Sequence, residues 1–193
     1  MRIRRLLSSS SGFTLVEVLV AATLLAVLSI GVVGLLGVAG TSGRAAREQT
    51  SSTILAAARM EQLRSLAWGY EKLPPPLVPR SDDSTDLSFD PPRAGGPGLS
   101  ASPPGTLAAN QPPYVDYLDF DGRWVGNGSQ PPATAAFVRR WAVRPLPADP
   151  DRALVLQVLV LPIADGHARG RWAWQGRAGQ QSLLTAVRTR RSQ

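Results

Sequence analysis

From Phe13 to Ala39 the chain is almost entirely Leu, Val, Ala, Ile and Gly, broken only by Thr14, Glu17, Thr23 and Ser29. As an α-helix rising ~1.5 Å per residue, this run reaches about 40 Å, more than the ~30 Å hydrocarbon core of a bilayer. A membrane-spanning helix over residues 13–40 is therefore the first expectation. Arg2, Arg4 and Arg5 precede it, and basic residues flanking a span stay on the cytoplasmic side. The rest of the chain is expected across the membrane. A secretory signal peptide shares the basic start, but its apolar stretch is typically about 7–15 residues. Here the run is roughly twice that, and the polar linker from Ser8 to Gly12 separates it from the arginines. Val38, Ala39 and Gly40 imitate a cleavage site, which keeps that reading as a rival.

Glu17 is the informative interruption. A carboxylate inside a membrane helix costs several kcal/mol unless it is paired or protonated. A cut between Gly12 and Phe13 would leave a free amine on Phe13, and a neighbouring subunit's Glu17 could pair with that amine across a helix bundle. The plainer reading is a glutamate that snorkels to the nearby interface.

The string SSSGFTLVEVLVA resembles the processing site of type IV prepilins and pseudopilins: a short basic leader over residues 1–12, Gly12 before the cut, aromatic Phe13 after it, and Glu17 fifth in the mature chain. The resemblance implies cleavage by a prepilin peptidase, N-methylation of Phe13 and a role for Glu17 in aligning subunits. It further implies anchoring in inner-membrane lipid, an inner-membrane assembly platform, and incorporation beside other major and minor pilins or pseudopilins. The continuation VLVAATLLAVLSIGVVGLLGVAG is similar to the PilV group of minor pilins. Gly31, Gly34, Gly37 and Gly40 recur every three residues in it, a spacing that permits close helix packing or local loosening.

Beyond the apolar run, residues 41–73 turn amphipathic, with Arg44 and Glu48 at i,i+4 and a stripe of Leu63, Leu66, Ala67 and Tyr70. The spacing predicts one helix from Phe13 to about Tyr70, ~85 Å long, its outer half needing a sheet to pack against. Pro74, Pro75 and Pro76 are expected to end it. Residues 74–113 hold 11 prolines, a composition that predicts a long surface loop outside the core, removable at little cost in stability. Asp82, Asp83, Asp86 and Asp90 match no calcium loop and are expected to be solvated.

Residues 114–193 change to strand patterns. Tyr114 to Phe120 is β-prone, and Asp121-Gly122 predicts a hairpin turn before Arg123 to Val125. Ala136 to Arg144 alternates, placing Arg139 on the same face as Phe137, Trp141 and Val143, where it is expected at the edge. Leu154 to Leu161 reads as a central strand, and Arg171 to Trp174 and Leu183 to Thr189 complete four or five antiparallel strands. The expectation is an α+β fold in the order helix, loop, sheet, which fits the pilin resemblance.

Composition narrows the chemistry. Without cysteine there is no disulfide, thiol nucleophile or cysteine metal site. His167 is the only histidine and lies in a turn pattern, so neither an enzyme nor a cofactor or metal site is expected. The net charge of +7 falls to about +4 without the first three arginines. That charge tolerates nucleic acid as a partner, but no binding motif supports it. Trp124, Trp141, Trp172 and Trp174 beside arginines could form a stacking platform for single-stranded DNA or glycan; packing in the core is the favoured reading. The function expected is a minor pilin of a type IV pilus. A type II secretion pseudopilin and a single-pass anchor carrying a binding domain are the alternatives.

Overall fold

A computed structural model describes residues 14–71, 78–163 and 181–190. The chain divides into one unit ending at Arg44 and a second beginning at Ala45. Helix α1 (Leu15–Ser65) contributes to both.

In the first unit Thr14 caps the helix. Its Oγ1 accepts the Glu17 N–H at 3.3 Å and its carbonyl accepts the Val18 N–H at 3.2 Å, supplying acceptors to donors that a helix start leaves orphaned. Leu15–Gly37 has a mean hydropathy of 2.6 and none of it is buried against the chain. Its hydroxyls are satisfied internally: Thr23 donates to the Leu19 carbonyl at 2.7 Å and Ser29 to the Leu25 carbonyl at 2.8 Å. A lipid environment demands such closure, because no water is present to serve as a partner. The helix continues unbroken through Gly31, Gly34, Gly37 and Gly40, and a Cβ at any of them would meet nothing within 4 Å.

In the second unit α1 buries Ser52, Ala56, Arg59, Met60 and Leu63, a stripe at helical spacing. The stripe faces a five-stranded antiparallel sheet of β5 (Val115–Leu118), β6 (Trp124–Asn127), β7 (Phe137–Leu146), β8 (Asp149–Pro162) and β9 (Ser182–Thr189), in spatial order β6-β5-β7-β8-β9. The inner face carries Phe137, Trp141 and Val143 from β7 and Leu154, Leu156, Val158 and Val160 from β8, joined to Met60 and Leu63 in one core. On the opposite face Val115, Tyr117, Val138 and Leu161 form a second, smaller cluster. The fold is α+β and pilin-like: a long, initially apolar helix followed by an antiparallel sheet.

The hairpin expected at Asp121-Gly122 joins β5 to β6. Asp119 Oδ1 accepts the amides of Asp121 and Arg123 at 3.0 and 2.8 Å, and Gly122 takes φ +77°, a conformation glycine adopts without a Cβ clash.

Three expectations require correction. The helix ends at Ser65, not near Tyr70, and Trp68–Glu71 is instead strand β1, paired with β2 (Val78–Ser81). Long-range bonds to the chain just beyond Leu63 decide this: Arg188 of β9 donates to the Leu63 and Leu66 carbonyls at 3.1 and 2.6 Å, and Arg190 to the Gly69 carbonyl at 3.1 Å. Residues 78–113 do not stand outside the core, since Leu87 and Leu99 are buried in it and the segment forms a short strand pair of its own, β3 (Thr85–Asp86) with β4 (Arg93–Ala94). Ser102 fastens the segment to β7, its N–H donating to the Val143 carbonyl at 2.9 Å and its Oγ accepting the Val143 N–H at 3.1 Å. Arg139, placed by its pattern at an edge, is 4% exposed. The strand expected at Arg171 to Trp174, and His167, fall outside the described residues.

Candidate functional site

Of the three residues expected to carry processing and assembly, Gly12 and Phe13 lie outside the described residues. Glu17 sits in the first turn of α1. With Thr14 as cap it occupies the third helical position, so Thr-Leu-Val-Glu has the form of a capping box. A carboxylate in this turn also complements the positive end of the helix dipole. The neighbouring apolar side chains, such as Val16 and Val18, are exposed.

The second constellation joins α1 to the sheet. Asp116 of β5 and Arg139 of β7 are register partners, and the Arg139 Nε and Nη2 donate to Asp116 Oδ1 and Oδ2 at 3.0 and 2.6 Å. Arg59 of α1 donates to the same Oδ2 at 2.5 Å, donates to the Leu87 carbonyl, and lies over the Trp141 ring at 4.5 Å. The side chains of all three are at most 5% exposed. Burial pushes the Arg59 guanidinium down to about 10 and the Arg139 charge adds to this, while Asp116 opposes it. Two cations thus share one carboxylate in a space closed to water. Both Arg59 Nη groups and the Arg139 Nε and Nη2 are spent on structural bonds, the buried Arg59 Nε having no partner among the described residues, and the triad fixes the helix on the sheet.

Sequence reasoning missed this triad, though a signal existed. Arg59 falls in the buried helix stripe and Arg139 in the inward phase of a strand. A charge in an apolar phase points to a buried partner. Only the β5–β7 register reveals that the partner is Asp116.

The other candidates are not brought together. Trp141 is buried beneath Arg59, whereas Trp124 donates its Nε1 proton to the Ser88 carbonyl at 2.9 Å and packs against Phe89. Trp172 and Trp174 lie outside the described residues. Asp82 holds a turn, accepting the Ser84 and Thr85 amides at 3.0 Å each and the Thr85 hydroxyl at 2.7 Å. Burial raises its carboxyl, but these bonds outweigh it and leave the pKa lowered. Asp86 likewise accepts the Ser88 amide at 2.8 Å.

The fold is α+β and pilin-like, and Leu15–Gly37 of its helix is long and apolar enough to cross a membrane. Residues 7–33 match the family model described as the prokaryotic N-terminal methylation motif. That motif supports a type IV pilin or pseudopilin, a structural subunit rather than an enzyme, and it implies processing by prepilin peptidase and assembly with other pilins. With the apolar helix it fits inner-membrane anchoring. No curated protein and no solved structure matches the chain.

Proposed function

We propose that the chain is a minor pilin of a type IV pilus, similar to the PilV group, cleaved between Gly12 and Phe13 and methylated on Phe13. The observation that carries this reading is the methylation motif at residues 7–33 continuing into the unburied apolar helix. Glu17 then pairs with the Phe13 amine of a neighbouring subunit, which offsets the cost of a carboxylate at membrane depth. Before assembly the chain is held by residues 13–40 in the inner membrane, with the part from Ala45 onward outside the cytoplasm.

Co-expression with a prepilin peptidase followed by mass spectrometry is the test. The mature chain should begin at methylated Phe13, and Gly12→Val should block the cut. A chain that still begins at Met1 beside an active peptidase sinks the proposal. A second variant separates two roles of Glu17. Glutamine serves a capping box as well as glutamate does, so Glu17→Gln keeps the cap while removing the charge. Loss of Glu17→Gln from sheared pili, with cleavage intact, supports pairing with the amine; incorporation at the parent level would reduce Glu17 to a helix cap. Recovery only in secretion pseudopili would move the chain to the type II secretion class.

A further inference from the structure

The chain has two asparagines, Asn110 followed by Gln111 and Asn127 followed by Gly128. A glycine in that place has no Cβ to shield its amide nitrogen, which can then close a five-membered ring on the preceding side chain. Asn127 ends β6, and the register with β5 shifts just before it. Leu118 pairs with Trp124, Tyr117 with Gly126 and Asp116 with Asn127, so Val125 is an extra residue. Alternate residues of a strand point to opposite faces, and a bulge resets that phase. Trp124 packs against the helix-side core and Val125 against the cluster on the other face. The bulge returns Asn127 to the side of Trp124. Both side chains accordingly reach Ser88, the Trp124 Nε1 donating to its carbonyl at 2.9 Å and the Asn127 Nδ2 to its Oγ at 3.0 Å.

Residue 127 thus stands in a row with Asp116 and Arg139, one from each of three adjacent strands. Cross-strand partners hold their Cβ atoms about 4.5–5.5 Å apart. Arg59 joins the row from α1, giving two buried cations to one carboxylate, and the Arg59 Nε has no partner among the described residues. Ser88 is 2% exposed and follows Leu87, whose carbonyl accepts from Arg59. A negative charge at residue 127 would be attracted by two guanidinium groups and repelled by one carboxylate, so attraction prevails. Ser88 serves either state, because a hydroxyl that accepts from an amide can turn and donate to a carboxylate. Asn127 and Gly128 are only partly buried, which admits the water that hydrolysis needs.

We propose that Asn127 is a site of self-modification, deamidated through the Gly128 nitrogen to an aspartate that balances the second cation of the Arg59–Asp116–Arg139 cluster. The Gly128 nitrogen gives up its proton and bonds to the Asn127 Cγ; the Cγ–Nδ2 bond breaks, and ammonia leaves with a proton. Water then opens the cyclic imide. Opening at Cγ yields aspartate, and opening at the main-chain carbonyl yields isoaspartate. One water is consumed and one ammonia released, with no oxidant, reductant or enzyme. The pairing with Asp116 favours aspartate, because isoaspartate lengthens the main chain by one carbon and breaks the register. The Ser88 bond must open first, so the reaction is slow, and it runs one way: it tightens the joint between helix and sheet as the chain ages. This assignment does not depend on whether the filament is a pilus or a pseudopilus.

The test ages the full chain, folded in detergent micelles at mildly alkaline pH, and follows it by peptide mass spectrometry with fragmentation that distinguishes aspartate from isoaspartate. Asn110 is the internal reference, since its side chain is also hydrogen-bonded, to the Ser129 carbonyl and to Arg140. Conversion of amide to acid should run at least about tenfold faster at Asn127, where no Cβ hinders the attacking nitrogen, and aspartate should be among the products. A second measurement makes the product directly. Asn127→Asp should unfold in urea at a higher midpoint than the parent at neutral pH, and the gain should vanish on acidification as the new carboxylate takes up its proton. A residue that merely bonds Ser88 behaves in the opposite way, because a carboxylate there loses the amide donor and gains no partner. The proposal is overturned by conversion at Asn127 no faster than at Asn110, by isoaspartate without aspartate, or by an Asn127→Asp chain that fails to fold or unfolds at or below the parent midpoint.

Discussion

Asp116 accepts three charge-assisted hydrogen bonds from two arginines that water does not reach. Such a carboxylate matters less for the energy it adds than for what its loss would leave behind, because removing one partner strands buried charge at a cost of about 3–5 kcal/mol. Asp116→Asn should therefore destabilise the chain by that amount in denaturant unfolding followed by tryptophan fluorescence. Replacing Arg59, Asp116 and Arg139 together by apolar residues of similar volume should recover most of the loss. A small effect of Asp116→Asn would mean that the triad is not closed to water. Tyr117 provides a pH test. It is buried, its hydroxyl donates to the Gly128 carbonyl at 3.0 Å, and burial pushes its pKa up to about 12 against the pull of Arg140. A raised folded pKa contributes stability that is fully present below the unfolded value near 10 and is lost as pH rises through about 12. Tyr117→Phe should flatten the fall in stability over that window relative to the parent chain. Spacing put Arg139 in the apolar phase of its strand, but its partner Asp116 and the partner of the Tyr117 hydroxyl depend on which strand lies beside which.

At the scale of elements, patterns that are local in sequence read correctly, and those settled by distant partners did not. The apolar helix, the Asp121-Gly122 hairpin and the alternation of β7 follow from neighbours a few residues away. The helix end does not. The stripe through Leu63, Leu66, Ala67 and Tyr70 has helical spacing, yet Leu66 lies just past the helix and Tyr70 belongs to β1. Arg188 comes from the far end of the sequence to bond the carbonyls of Leu63 and Leu66, which the helix itself leaves without donors. Arg188→Met keeps the apolar stem and removes both bonds, so it should cost about 2 kcal/mol, the range for hydrogen bonds to charged groups. Equilibrium unfolding measures the loss; a change below about 0.5 kcal/mol, the size of an ordinary surface substitution, would show that the helix end needs no such cap.

For the whole molecule, the order of helix then sheet could be read because the hydrophobic period changes from helical to alternating along the chain. The part misjudged was the proline-rich segment, whose composition argues against a core of its own but not against lending single side chains to another. Leu87 and Leu99 enter the helix–sheet core, the Leu87 carbonyl accepts from Arg59, and the Leu107 carbonyl and Asn110 side chain accept from Arg140 at 2.9 Å each. Two physical terms then compete when residues 83–112 are replaced by a short glycine-serine link. Loop closure alone favours or opposes the change by less than about 1 kcal/mol, because its entropy depends only logarithmically on length. Packing opposes it far more strongly, since each buried leucine cut back to alanine already costs about 2–5 kcal/mol. Two leucines and the carbonyl partner of Arg59 would leave at once, against a total domain stability of about 5–15 kcal/mol. The excised chain in micelles should accordingly show no cooperative unfolding and no near-UV circular dichroism from packed tryptophan. Leu99→Ala, which leaves the backbone in place, should unfold cooperatively at a lower midpoint. Cooperative unfolding of the excised chain within about 1 kcal/mol of the parent would overturn the packing argument and restore the segment to a dispensable loop.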